Sequence, residues 1–116
     1  VLGVGLGHQA LARAYGAAIA SAPVIVHEKA SPMAHGDGGI LEGVPSPFMA
    51  GRYHSLVVAR EGLPAELEII ARTGDGLIMG LKLKGREVWG LQFHPESILT
   101  EHGKRIIANF VRRCGA

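Results

Sequence analysis

The sequence is poor in cysteine and aromatic side chains, carries little excess charge, and has no long apolar run. A single cysteine, Cys114, excludes an intrachain disulfide and fits a reducing, cytoplasmic setting. Aromatic residues make up only 5% of the chain, so it lacks the stacking platforms on which single-stranded nucleic acids are held. The formal net charge is only +2, and the basic residues form no stripe. Lys82, Lys84 and Arg86 read as the solvent side of a strand. Arg112 and Arg113 read as the end of a helix, where cations complement the helix dipole. No nucleic-acid partner is expected. Apolar stretches are broken by Gly, His, Arg or Glu well short of the ~18 residues a membrane span requires. Val1 to Val4 is too short an apolar stretch for an export signal. No membrane association is expected either.

What is present is a globular composition, 47% hydrophobic and 19% charged, in a length that suits one domain. The 17 glycines follow no period of three, so they mark tight turns and close backbone approaches. Val1–Val4 reads as the end of a buried strand, followed by the glycine-rich turn Gly3-Val4-Gly5-Leu6-Gly7. A helix is expected from His8 to Ala20, with a small-residue face of Ala10, Ala14, Ala17 and Ala18 beside Leu11 and Tyr15. Gly16 weakens its second half. Pro23–Val26 is the next strand, and residues 31–47 are dense in Gly and Pro turn chemistry. Strands then follow at Phe48–Tyr53, Leu56–Ala59, Leu67–Arg72, Leu77–Leu83 and Glu87–Phe93, the last three joined by short turns. Thr100 reads as the cap of a final helix, Glu101–Cys114, burying Ile106, Ile107, Phe110 and Val111. The order predicts an α/β fold with a mixed sheet.

Three stretches carry residue types suited to chemistry. The opening glycines partly match a dinucleotide fingerprint, but its third glycine would fall on His8. A phosphate loop is excluded because no Lys follows. The alternative is a nucleophile elbow, G-x-nucleophile-x-G, a sharp strand-to-helix turn. Gly3 and Gly7 occupy its flanking positions, where a side chain would collide with the turn, but the central residue is Gly5, which has no nucleophile. Gln92-Phe93-His94-Pro95-Glu96-Ser97 ends an apolar strand. A His that takes a proton and a carboxylate that holds its tautomer are two parts of a nucleophile–base–orienter triad; the alternative is a solvated pair at a strand end. A zinc deaminase signature would need a Pro-Cys-x-x-Cys partner, so zinc by that route is excluded. Arg52-Tyr53-His54-Ser55-Leu56 reads as a strand edge, either solvated or in contact with substrate.

Together these stretches resemble the class I, triad-type glutamine amidotransferases. Leu2-Gly3-Val4-Gly5-Leu6-Gly7-His8-Gln9 is similar to that family's elbow segment, whose middle residue is cysteine. Gln92–Ser97 is similar to the segment holding the triad histidine and glutamate. Arg52–Leu56 and Pro95–Thr100 look like the anthranilate synthase and aminodeoxychorismate synthase branch.

The resemblance implies a mainly parallel mixed sheet flanked by helices, flavodoxin-like. It makes residues 1–116 the C-terminal portion of one amidotransferase domain whose N-terminal part is missing. It places Gly5 at the nucleophile position, His94 as general base and Glu96 as its orienter. Leu6 would offer its backbone N–H to the oxyanion. Gln9, Ser55 and Leu56 would hold L-glutamine. The family uses no metal or organic cofactor in this half, and passes ammonia to a chorismate-binding synthase subunit. Anthranilate synthase, in tryptophan biosynthesis, is the favoured branch. Gly5 implies that glutamine hydrolysis is lost in this chain. A glutamine-binding or scaffold subunit is the non-enzymatic alternative.

Overall fold

A computed structural model describes residues 1–36, 39–97 and 100–113, with residues 22–29 and 52–55 described by their backbone alone. Two short apolar strands, β1 (Leu2–Val4) and β6 (Trp89–Leu91), lie side by side although they are remote in sequence. Between them the chain forms α1 (Leu6–Ala14), β2 (Ile19–His35), a 3-10 turn (Gly39–Leu41), β3 (Phe48–Val58), β4 (Leu67–Thr73) and β5 (Ile78–Leu83). Helix α2 (Gly103–Arg113) follows β6. The strands form one sheet in the order β1-β6-β5-β4-β2-β3.

The α/β class and the mixed sheet agree with the sequence reading, but a mainly parallel sheet does not. Among the described residues only β1 and β6 pair in parallel, and the other four pairings are antiparallel. The short turns between β4, β5 and β6 permit nothing else, because a parallel return needs a crossover of a dozen residues or more.

Helix α1 starts two residues earlier than expected and stops six residues sooner. Its end is a Schellman motif: Ala17 N–H donates to Ala12 C=O and Gly16 N–H to Arg13 C=O, with Gly16 at φ +97°. The buried face is His8, Gln9 and Ala12, not the alanines at 10, 14 and 18. His8 sits over Gly90, where a Cβ would come within 2.5 Å of His8 Nδ1. The missing side chain at Gly90 is what lets α1 lie directly on β6.

β2 continues through residues expected to be loop, as far as His35. There Met33 pairs with both Phe48 of β3 and Thr73 of β4. Ladder hydrogen bonding on both sides overrides local turn propensity. β3 is likewise one continuous strand. The β4–β5 turn agrees with the sequence reading: Leu77 N–H donates to Thr73 Oγ1 at 3.0 Å, and Gly76 takes φ +91°.

The sheet is covered on both faces. One cluster joins Met33, Ile40, Leu41, Phe48, Met79, Trp89, Leu91 and Phe93 to Ile106 of α2. The other joins Ala12 and Ala17, at and just beyond the end of α1, to Val58, Leu67, Ile78, Leu81 and Leu83. β5 feeds both clusters: the adjacent Ile78 and Met79 go to opposite sides, and past the register irregularity between the Arg72–Ile78 and Ile69–Leu81 pairs, Leu81 and Leu83 fall on the side of Ile78.

Helix α2 begins at Gly103, and the expected Cys114 lies outside the described residues. Thr100 is not its cap: the Thr100 hydroxyl binds the backbone of Gly51 and His94. The buried face is Gly103, Ile106 and Asn109, while Ile107 and Val111 are exposed. Two contacts set this rotation. A Cβ at Gly103 would lie 1.8 Å from Pro95 O, so only glycine lets the helix approach there. Asn109 Nδ2 donates to the carbonyls of Ile40 at 2.9 Å and Glu42 at 2.8 Å. At its far end, Arg113 forms a two-pronged ion pair with Glu87 and lies over the Trp89 ring. No helix among the described residues is long and apolar enough to cross a membrane.

Candidate active site

β1 and β6 run parallel with Val4 opposite Leu91, so their carboxyl ends open at the same edge. Open α/β sheets form their sites beyond such ends. Gly5 follows β1 directly, and His94 follows β6 after Gln92 and Phe93. Gly5 is tied to the neighbouring strand through its N–H, which donates to Leu91 O at 2.9 Å. Its backbone sits at φ +60°, ψ −113°, a combination that residues with a Cβ rarely adopt. Just before it, a Cβ at Gly3 would lie 2.6 Å from Gly7 O, so the tight strand-to-helix turn requires glycine at 3. Gly7 does not share that role, because nothing stands within 4 Å of a Cβ there. The expectation that both flanking glycines relieve crowding holds for Gly3 alone.

A Cβ at residue 5 would lie 3.4 Å from both Nε2 and Cε1 of His94. The opposite side of the same ring is engaged: His94 Nδ1 is 2.7 Å from Glu96 Oε1. A carboxylate can only accept, so Nδ1 carries the proton and Nε2 is turned toward residue 5. Such a carboxylate–imidazole pair can take a proton from a group on residue 5 and stabilise the resulting imidazolium. The ring is partly screened from solvent, and Glu96 is more open.

Leu6 is the first residue of α1, with an exposed side chain; backbone N–H groups at a helix start lack intrahelical partners. Gln9 is buried one turn along, and its Nε2 donates to Leu56 O at 3.3 Å and to Gln92 Oε1 at 3.0 Å. The structure thus brings Gly5, Leu6, Gln9, Leu56, His94 and Glu96 into one connected region. Ser55 precedes Leu56 in β3 and is described by its backbone alone.

Two residues of this region had no site role in the sequence reading. Gln92 holds Gln9 from below. Thr100 Oγ1 donates to His94 O at 2.5 Å and accepts from Gly51 N–H at 2.9 Å. Neither role has a local sequence signal, because Gln9, the partner of Gln92, and Gly51, which completes the Thr100 bonds, are remote along the chain. Among the described residues, no three His, Cys, Asp or Glu side chains cluster as a metal site would need.

Comparison with known proteins identifies the chain's family. The family model for class-I glutamine amidotransferases matches residues 1–114. Anthranilate synthase component 2 of Mycobacterium tuberculosis is 50% identical over 115 residues, covering 99% of this chain and 50% of the relative. Aminodeoxychorismate synthase component 2 of Klebsiella aerogenes is 45% identical over 113 residues, covering 97% of this chain and 60% of the relative. A solved glutamine amidotransferase of Thermotoga maritima superposes with a TM-score of 0.71 at 21% identity, over 98% of this chain and 47% of that one, a likeness of fold alone. The chain therefore spans only 50% to 60% of the length of these curated relatives. With the family's match running from the glycine turn to the last helix, this chain belongs to the class-I glutamine amidotransferases.

Proposed function

We propose that this chain is the portion of a glutamine amidotransferase domain that carries the triad positions, and that it belongs to a subunit supplying ammonia to a chorismate-using synthase. One observation carries the reading: the Cβ position of residue 5 lies 3.4 Å from His94 Nε2, with Glu96 on the far side of the ring. That is the spatial order of nucleophile, base and orienter. The higher identity to anthranilate synthase component 2, 50% against 45%, favours the tryptophan branch over aminodeoxychorismate synthesis.

The chemistry follows from the placement. With a thiol at residue 5, His94 Nε2 takes its proton, and the thiolate adds to the side-chain amide carbon of glutamine. Leu6 N–H, at the start of α1, stabilises the oxyanion. His94 then returns the proton to the departing ammonia, leaving a thioester that water hydrolyses to glutamate. Glutamine lies along β3 at Ser55 and Leu56. Gln9, whose Nε2 is bonded to Leu56 O and Gln92, presents its oxygen. In the chain as it stands Gly5 supplies no thiol, so the covalent route is closed and glutamine binds without turnover.

The deciding experiment installs the thiol. Gly5→Cys in the full-length subunit, mixed with its synthase partner, is treated with a glutamine-analogue electrophile and assayed for glutamate release. Covalent labelling and glutamine turnover, both absent in the unmodified chain, are expected. No labelling and no glutamate release would sink the amidotransferase reading.

A further inference from the structure

His94 follows β6, beyond the strand's own ladder, and something else must fix its backbone. Its N–H donates to Gly51 O at 3.2 Å. Gly51 N–H in turn donates to Thr100 Oγ1 at 2.9 Å, and Thr100 Oγ1 donates to His94 O at 2.5 Å. The three residues close a ring of hydrogen bonds in which the Thr100 hydroxyl is donor and acceptor at once. Thr100 is 8% exposed, so water does not readily replace it. Glu101 extends the clip, its N–H donating to Met49 O at 2.8 Å and its Oε1 accepting from Met49 N–H at 3.0 Å. β3 therefore holds the His94 turn at residues 49 and 51, and a few residues later it reaches Leu56, whose carbonyl binds Gln9.

We propose that Thr100 is a positioning residue for His94: its hydroxyl locks the His94 main chain to β3 and so fixes the ring between Glu96 and residue 5. This rests on the amidotransferase reading for its consequence but not for its geometry. A side chain must be held to well within 1 Å to act on a neighbour, and a misplacement of that size can cost about 100-fold in rate. Threonine suits the task because its methyl and hydroxyl share one stiff rotamer choice, so little freedom is lost on fixing it.

The test compares Thr100→Val, which keeps the shape and loses both hydrogen bonds, with Thr100→Ser, which keeps the hydroxyl. The first readout is the pair of His94 ring nitrogen resonances in the unmodified subunit and in each variant. The native chain should show a single tautomer with the proton on Nδ1. Thr100→Val should shift or broaden both signals, and Thr100→Ser should restore them. The second readout, in the Gly5→Cys background, is the pH profile of thiol alkylation. Thr100→Val should slow alkylation about tenfold at neutral pH, and Thr100→Ser should recover most of it. Unchanged resonances and an unchanged profile in Thr100→Val overturn the proposal. Equal damage from Val and Ser does so too, since packing rather than the hydroxyl would then be at work. If Thr100→Val does not fold, hydrogen exchange of the Gly51 amide in the unmodified chain decides, with strong protection expected and exchange at the rate of an open amide overturning it. The resonance readout needs no glutamine chemistry, so failure here is distinct from failure of the thiol-installation experiment.

Discussion

Gly5 and His94 face each other across the carboxyl ends of two parallel strands, with 3.4 Å between the Cβ position of one and Nε2 of the other. The separation is that of a heavy-atom contact, and the backbone at Gly5 is already in the conformation that aims a side chain at the ring. That conformation, φ +60°, is a strain for any residue with a Cβ, and glycine relieves it.

A stability consequence comes first. Gly5→Ala and Gly5→Cys should each destabilise the fold by about 1–3 kcal/mol, the usual cost of holding an L side chain in a sparsely populated backbone region. Denaturant unfolding would measure it. An alanine variant as stable as the native chain would mean that the turn relaxes to another conformation.

The roles of His94 and Glu96 separate in the Gly5→Cys background. His94→Ala should remove nearly all glutamine hydrolysis, about 10³-fold or more, because among the described residues the His94 ring is what lies within 4 Å of a Cβ at residue 5. Glu96→Gln should be milder, since Glu96 only orients the ring and stabilises its charged form, and it is partly exposed. Steady-state glutamate release gives both numbers. Equal losses in the two variants would contradict this division of labour.

Two glycines that look alike in the sequence should behave oppositely. Gly103→Ala drives a Cβ to 1.8 Å from Pro95 O, a backbone atom that cannot swing aside, so α2 must lift from the His94 turn. The cost should reach about 3 kcal/mol or more, the upper range for overpacking. Gly7→Ala meets nothing within 4 Å and lies inside α1, so it should stabilise by about 0.5–1 kcal/mol. Thermal melts of the two variants check the contrast.

Acid should weaken the anchoring of α2 at its far end. The two-pronged hydrogen bond from Arg113 holds the Glu87 carboxyl below its ordinary range, helped by the Trp89 N–H and the nearby charges of Arg113 and Lys82. The same pairing raises Arg113. A carboxyl whose folded pKa lies below its unfolded value contributes stability above the unfolded pKa. That contribution is lost as pH falls through the folded value. Glu87→Gln should therefore unfold at lower denaturant than the native chain near neutral pH. The gap should close as pH falls to roughly 3, through and below the unfolded carboxylate range. A gap that stays constant from neutral to acid would rule out this linkage.

The sequence by itself determined the local and short-range features. The glycine turn at residues 3–7 and the β4–β5–β6 meander with its Gly76 turn follow from backbone freedom and alternating apolar residues acting over a few positions, whereas the expected helix overran the stop of α1 before Gly16 by six residues. The pairing of His94 with Glu96 was legible for the same reason, since two residues around a proline cannot move far apart. Tertiary structure alone decided what depends on partners distant in the chain. It set the rotation of α2, because Asn109 finds the carbonyls of Ile40 and Glu42 and outweighs the apolar pull of Ile107 and Val111. It extended β2 to His35, because two neighbouring strands supplied ladders that no local pattern announces. It turned Thr100 from an expected helix cap into a clasp on His94, because Gly51 arrived from 49 residues away to complete its hydrogen bonds. Burial rewards satisfied polar groups wherever their partners come from, and for these residues the partners come from distant parts of the chain.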